Sequence, residues 1–193
     1  MGQISTLRRG DLFMPGDDSY IVEAINKGLA KADTKQVIAF FVPVILVPKE
    51  NQAGITSLAD FTRKGLRIGL GDPRIAAVGR QAHLIFEKSK IAYESVKPQV
   101  LYLSRTVEEL GVAVSMNSVD AAIVWDVTAR NFAEKTKMIE IPPAQNIISP
   151  IAVVVLGSSS DPALSARFGE LATTEQARAQ LQKMGWKVQQ DGK

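Results

Sequence analysis

Residues 66–82, LRIGLGDPRIAAVGRQA, decide the fold class of this chain. Apolar residues alternate over Leu66–Leu70 and indicate a strand. The tripeptide GDP then turns the chain, and a helix is expected from about Ile75 to Ser89. A strand that runs through a short turn into a helix is the repeating unit of α/β folds.

The same unit recurs on both sides of this stretch. A strand at Val100–Leu103 precedes a helix at Val107–Met116, and a further strand follows at Ala121–Trp125. Upstream, QVIAFFVPVILVP (36–48) is rich in β-branched and aromatic residues, and predicts one buried strand or two joined at Pro43. Shorter strands are expected at 11–15, 139–141 and 151–156, a helix at 19–31, and helices over the last forty residues. This order predicts an α/β fold with largely parallel strands.

Composition excludes several classes of protein. The chain has 193 residues, of which 46% are hydrophobic, so it is expected to fold rather than to be disordered. The 23 Lys and Arg residues barely exceed the 20 Asp and Glu residues, and no block of five like charges indicates nucleic-acid binding. The absence of cysteine excludes disulfides, thiol catalysis and cysteine metal sites. The first ten residues lack the apolar core of a signal peptide.

The sequence offers no set of catalytic or metal-binding residues. His83 is the only histidine, and neither a G-x-S-x-G elbow nor a phosphate-binding lysine motif occurs. The pairs Asp17/Asp18 and Glu108/Glu109 fit helix N-termini better than acid–base catalysis. We therefore expect no enzyme activity, no cofactor and no metal ion.

Two strand-to-helix junctions suggest anion binding instead. LRIGLGDP leads into the helix near Ile75, and VLYLSRT leads into the helix near Val107. Each junction directs free backbone N–H groups and the positive end of a helix dipole out of the same edge of the sheet. The small residues Ala76, Ala77 and Gly79 would let a ligand approach the backbone.

Four stretches, taken in order, resemble the molybdate-binding proteins of ABC importers, which belong to the two-lobed solute-binding proteins. They are DLFMPGDDSYI (11–21), FFVPVILVPKEN with SLADF (40–61), the stretch 66–82, and VDAAIVWDVTA (119–129). The resemblance implies an α/β fold of the type II periplasmic-binding-protein kind, with mainly parallel sheets. It also implies two crossing hinge strands, at about 38–48 and 148–156. Lobe one would comprise 1–47 and 152–193, and lobe two would comprise 48–151.

The resemblance also implies a function. The family binds a tetrahedral oxyanion, here molybdate or tungstate, in the cleft between the lobes, through backbone N–H groups and hydroxyls. It uses no metal ion and performs no chemistry. The implied partners are the small oxyanion and an ABC permease in the membrane, with no nucleic acid. The implied location is the periplasm or the cell surface, although a signal peptide is not present in this chain.

The family's ligand-binding positions fall on Ala77, Val78 and Gly79 at one junction, and on Val107 at the other. A family tyrosine falls on Trp125, whose indole N–H can donate a hydrogen bond but cannot accept one. The family also has a strand, a helix and a strand before the point matching Gly2, with two serine ligands among them. Lobe one is therefore expected to be incomplete at its start.

Two alternatives remain open at the level of sequence. A ligand-sensing regulatory domain could share the architecture, but it would need a DNA-binding helix-turn-helix upstream. A small-anion enzyme could use the same frame, with Asp72 or Asp126 as the acid or base near the cleft.

Overall fold

The computed structural model describes residues 2–189, and the chain divides into two compact units. Unit 1 combines Met1–Phe41 with Ser149–Lys193, and unit 2 is Val42–Ile148. In chain order the elements are α1 (Gly2–Leu7), β1 (Leu12–Phe13), α2 (Ser19–Asn26), β2 (Gln36–Phe41), β3 (Pro43–Pro48), β4 (Ile68–Gly71), α3 (Ala77–Lys88), α4 (Tyr93–Val96), β5 (Val100–Ser104), α5 (Val107–Ser115), β6 (Ala121–Trp125), α6 (Asp126–Asn131), β7 (Thr136–Glu140), β8 (Ser149–Val155), α7 (Pro162–Ala172) and α8 (Glu175–Lys183).

Unit 1 is built on a three-stranded antiparallel sheet in the order β1-β8-β2. The central strand β8 pairs Val155 with Leu12 on one side and Val153 with Gln36 on the other. Helices α2 and α7 pack against β8. The buried cluster of this unit joins helix α2 and the segment that follows it to strand β8 (Ile21, Ala24, Ala30, Ala152, Val154 and Leu156).

Unit 2 is built on a five-stranded mixed sheet in the order β5-β4-β6-β3-β7. Strands β5, β4 and β6 run parallel, whereas β3 lies antiparallel to both β6 and β7. The prediction of mainly parallel sheets therefore holds for only three strands of unit 2. Periodicity reports which residues are buried, but it does not report the direction of the neighbouring strand.

The structure divides the units after Phe41 and before Ser149, whereas the sequence predicted boundaries after Val47 and before Ala152. The 36–48 run breaks at Val42, so that β2 belongs to unit 1 and β3 to unit 2. Residues of β3 pair with β6 and β7, which anchors them in unit 2. Strand β8 lies wholly in unit 1 because its first residues, from Ser149 onward, pair with β2.

Several helix termini follow from side-chain caps that the sequence indicates. Asp161 accepts a hydrogen bond from the Leu164 N–H at 2.9 Å at the start of α7, with proline in the first turn. Thr174 accepts from Ala177 N–H at 3.3 Å at the start of α8. None of the helices within residues 2–189 is long and apolar enough to cross a membrane.

Candidate functional site

The carboxyl ends of the three parallel strands meet at one edge of the unit 2 sheet. Gly71 of β4 lies beside Ser104 of β5, and the Asp72 N–H donates to the Ser104 carbonyl oxygen at 2.7 Å. On the other side, Ile68 and Gly69 of β4 lie beside Ala121 and Ala122 of β6. Because the strands are parallel, helices α3, α5 and α6 all begin at this edge.

The first turn of α3 leaves main-chain donors available. Its N-cap is Ala76, which has no side chain that could cap the helix. The Ala76 N–H donates to the Asp72 carbonyl at 2.8 Å, and the Gly79 N–H donates to the Ala76 carbonyl at 3.1 Å. The N–H groups of Ala77 and Val78 have no acceptor among residues 2–189. They are the unpaired donors that the start of a helix offers to an anion.

Close backbone packing accounts for the glycine at 79. A Cβ atom on Gly79 would lie 2.3 Å from the carbonyl oxygen of Gly71, and one on Gly71 would lie 2.7 Å from the Gly79 nitrogen. Both distances are too short for any real Cβ contact. The two glycines therefore let the first turn of α3 press directly onto the end of β4, which fixes where the Ala77 and Val78 N–H groups lie.

The start of α5 is partly occupied by a carboxylate of the chain itself. Thr106 caps this helix by accepting from the Glu109 N–H at 3.3 Å. The Glu109 carboxylate accepts hydrogen bonds from Ser104 Oγ at 2.6 Å, Tyr102 Oη at 3.1 Å and the Arg105 N–H at 3.3 Å. The hydrogen bonds from Ser104 and Tyr102 hold the pKa of Glu109 below its ordinary value. Val107, the first residue of the helix, is half-buried, and its N–H has no acceptor within the part of the chain described.

Glu109 was not predicted as a residue of this edge, although the sequence contains a signal for it. Thr106 and Glu109 have the T-x-x-E spacing of a capping box, in which the acidic side chain folds back over the helix start.

A salt bridge between Asp72 and Arg74 lies between β4 and α3. Asp72, with 6% of its surface exposed, accepts from the Arg74 main-chain N–H at 2.9 Å, Nε at 3.0 Å and Nη2 at 2.6 Å. The Arg74 hydrogen bonds lower the pKa of Asp72 from 3.8 to about 2. The guanidinium itself is largely exposed, so Asp72 holds a fixed positive charge at this edge. Asp72 was a candidate acid or base from the sequence, whereas Arg74 was not predicted as a residue of this edge.

Trp125 and Asp126 complete the edge. Trp125 ends β6 opposite Pro43 of β3 and is 6% exposed. Asp126 is 7% exposed, and its Oδ1 atom has no hydrogen-bond partner among the described residues. Burial raises the pKa of Asp126, while the N–H groups of Val127 and Val42 and the charge of Arg130 act in the opposite direction.

The structure thus brings Ala77, Val78, Gly79, Val107 and Trp125 to one edge of the same sheet. The imidazole of His83 lies further along α3, with its ring centroid 4.0 Å from that of Tyr93. Over residues 2–189, no cluster of three or more His, Cys, Asp or Glu side chains could hold a metal ion.

Comparison with known proteins assigns the chain to a family. The profile of the bacterial extracellular solute-binding proteins matches residues 1–187. The chain belongs to this family. The two relatives described below are named as binding proteins.

Two relatives and one solved structure illustrate the similarity. A putative binding protein of Haemophilus influenzae is 26% identical over 142 residues, covering 74% of this chain and 57% of the relative. The molybdate-binding protein ModA of Mycobacterium tuberculosis is 26% identical over 189 residues, covering 95% of this chain and 68% of the relative. The substrate-binding domain of a putative molybdenum ABC transporter from Clostridium difficile superposes with a TM-score of 0.77 at 17% identity, covering 98% of this chain and 81% of the other.

The comparisons confirm two of the sequence-based predictions. The resemblance to the molybdate-binding proteins is confirmed by the family match and by the mycobacterial relative. The α/β fold of the type II periplasmic-binding-protein kind is confirmed by the structural similarity. The chain spans little more than half the length of the putative binding protein of Haemophilus influenzae.

Proposed function

We propose that this chain is the substrate-binding component of an ABC importer and binds a tetrahedral oxyanion, molybdate or tungstate, at the carboxyl edge of the unit 2 sheet. The observation that supports this most directly is the uncapped start of α3, where the N–H groups of Ala77 and Val78 lack acceptors within residues 2–189. The similarity to a molybdate-binding protein over 95% of the chain supports the choice of anion.

Neutral main-chain donors suit a dianion. Each N–H group directs a partial positive charge at the ligand without titrating, and the helix dipole adds to it. In this proposal, Ala77 and Val78 donate from α3 and Val107 donates from α5. Gly79 lets the first turn of α3 pack directly against the end of β4, and Trp125 contributes its side chain from the end of β6.

The partners and the location are part of the same proposal. A protein of this kind would deliver its anion to a permease in the membrane, and would work in the periplasm or at the cell surface. Its membership of the extracellular solute-binding family supports this location. The proposal includes neither a cofactor nor a nucleic-acid partner.

Calorimetric titration with molybdate, tungstate, sulfate and phosphate tests the proposal. We expect molybdate or tungstate to bind at least tenfold more tightly than phosphate, which retains a proton at neutral pH. A chain that binds none of the four anions would contradict the proposal.

A pair of variants at Ala77 locates the site. Ala77 is the first residue of α3, a position that tolerates proline, and Ala76 already has the extended backbone that must precede proline. Ala77→Pro removes one N–H donor, and Ala77→Gly retains it. A hydrogen bond to a charged group contributes about 1.5–3 kcal/mol, so Ala77→Pro should weaken binding roughly 10- to 150-fold. Ala77→Gly should change the affinity much less.

A further inference from the structure

Three carboxyl groups lie at the edge where the anion is proposed to bind, and they differ in their surroundings. Asp72 is held by Arg74, and Glu109 is held by Ser104 and Tyr102. Both of these have partners that stabilise the ionised form. Asp126 is as buried as Asp72, but its Oδ1 atom has no hydrogen-bond partner in the described part of the chain.

A helix-capping role does not account for the burial of the Asp126 side chain. The N-cap of α6 is Trp125, which makes no side-chain capping hydrogen bond, and Asp126 is the first helical residue. Its N–H donates to the Val42 carbonyl at 2.8 Å, which fixes it between the end of β6 and the start of β3. The side chain is therefore buried at the rim of the sheet with one oxygen unsatisfied.

Little positive charge surrounds this carboxyl. Helix α6 packs against β3, β6, β7 and α5. Strands β3 and β6 contain no charged residue in their sequences. The charged residues on the remaining packed elements are Arg130 of α6, Lys137 and Glu140 of β7, and Glu108 and Glu109 of α5. Only Arg130 among these bears on the Asp126 carboxyl as a counter-charge.

A bound dianion would make the ionised form of Asp126 still less favourable. Like charges at one site disfavour each other, and the low dielectric of a buried rim strengthens the effect. Asp72 and Glu109 are protected from protonation by their donors, so Asp126 is the group that responds. Once neutral, a carboxylic acid gains an O–H donor that an anion oxygen can accept.

We propose that Asp126 is a proton-linked ligand-binding residue: it takes up a proton from solvent when the oxyanion binds, and donates that O–H to an oxygen of the anion. This inference rests on the proposed function. It makes binding of a fully ionised dianion tighter as pH falls. An unlinked site built only of main-chain N–H groups would bind such an anion without this pH dependence.

Titration of the whole chain with sulfate and with molybdate, between about pH 6 and pH 9, tests this inference. Sulfate has no proton to exchange in this range, so any pH dependence belongs to the protein. Running each titration in two buffers of different ionisation enthalpy counts the protons taken up. We expect uptake of up to about one proton, and an affinity that falls by up to about tenfold per pH unit on the basic side.

Two variants assign the proton. Asp126→Asn supplies an N–H donor that needs no proton, so it should bind with no proton uptake and a flat pH profile. His83→Gln is the matched control, since it removes the only imidazole, and it should retain the profile of the unsubstituted chain. If Asp126→Asn fails to fold, binding to the unsubstituted chain with no proton uptake still overturns the role of Asp126.

The two proposals fail in different ways. Binding without proton uptake, or a pH profile that Asp126→Asn leaves unchanged, overturns the role of Asp126 and leaves the proposed function standing. Absence of binding of molybdate, tungstate, sulfate and phosphate at every pH overturns both.

Discussion

Replacing Gly79 by alanine tests whether the start of α3 is held by direct backbone packing. The added Cβ would lie 2.3 Å from the Gly71 carbonyl oxygen and 2.8 Å from the Asp72 carbonyl carbon. Since carbon–oxygen contacts are normally no shorter than about 3.3 Å, the helix start has to move by on the order of 1 Å. The contacted atoms are backbone, so no side chain can rotate away.

The expected loss of stability follows from two opposing effects. Overpacking of this kind costs up to about 3 kcal/mol, and replacing a helical glycine by alanine returns about 1 kcal/mol. Gly79→Ala should therefore lower the free energy of unfolding by about 2 kcal/mol, or the thermal midpoint by roughly 4–8 °C. The same displacement moves the Ala77 and Val78 N–H groups, so anion affinity should fall as well.

Gly169 provides the control. It also lies within a helix, α7, but a Cβ there would meet only the flexible side chain of Gln36, at 3.3 Å, and Val153. Urea denaturation of Gly169→Ala should give a stability close to or above that of the unsubstituted chain. Finding Gly79→Ala as stable as Gly169→Ala would refute the packing argument.

Two further predictions concern stability. Because Arg74 lowers the pKa of Asp72 to about 2 in the folded chain, Asp72 contributes stability above pH 4 that is lost as pH falls from about 4 to 2. Asp72→Asn should thus flatten this acid limb in thermal denaturation measured across pH, and an unchanged limb would contradict it. Removing the α7 cap by Asp161→Ala should cost about 1 kcal/mol, while Asp161→Asn, which can still cap the helix, should cost much less. Equal losses in the two variants, measured by urea denaturation, would show that the cap is not the cause.

The strand-to-helix junctions could be predicted from sequence because each has a local signal. Alternating apolar residues mark β4, and Gly71 with Pro73 ends it, so α3 was expected within two residues of its actual start. The division of the 36–48 run into two strands was likewise one of the two readings that Pro43 allowed, and the break lies at Val42, just before the proline.

Other features depend on distant parts of the chain and had no local signal. The antiparallel direction of β3 is set by its pairing with β6 and β7, far along the sequence. Helix α6, DVTARN, is six residues long, too short to show helical periodicity, and was not predicted. Helix α2 ends at Asn26, earlier than expected, and Gly28 follows with a φ of +67°.

The candidate site likewise contains features that had a local signal in the sequence and features that had none. The main-chain donors of Ala77, Val78 and Val107 were expected because a helix start exposes N–H groups whatever its side chains are. The unpaired oxygen of Asp126 could not be predicted from sequence, since it depends on what packs around the residue. The Asp72–Arg74 pair was missed because residues two apart interact only in a turn of suitable shape.

NMR can show whether main-chain N–H groups of unit 2 bind the anion, because individual amide resonances can be followed during a titration with molybdate. We expect the amide protons of Ala77, Val78 and Val107 to shift most, and to saturate together at the affinity measured by calorimetry. Shifts centred elsewhere in the chain, with these three amides unmoved at saturation, would contradict this expectation.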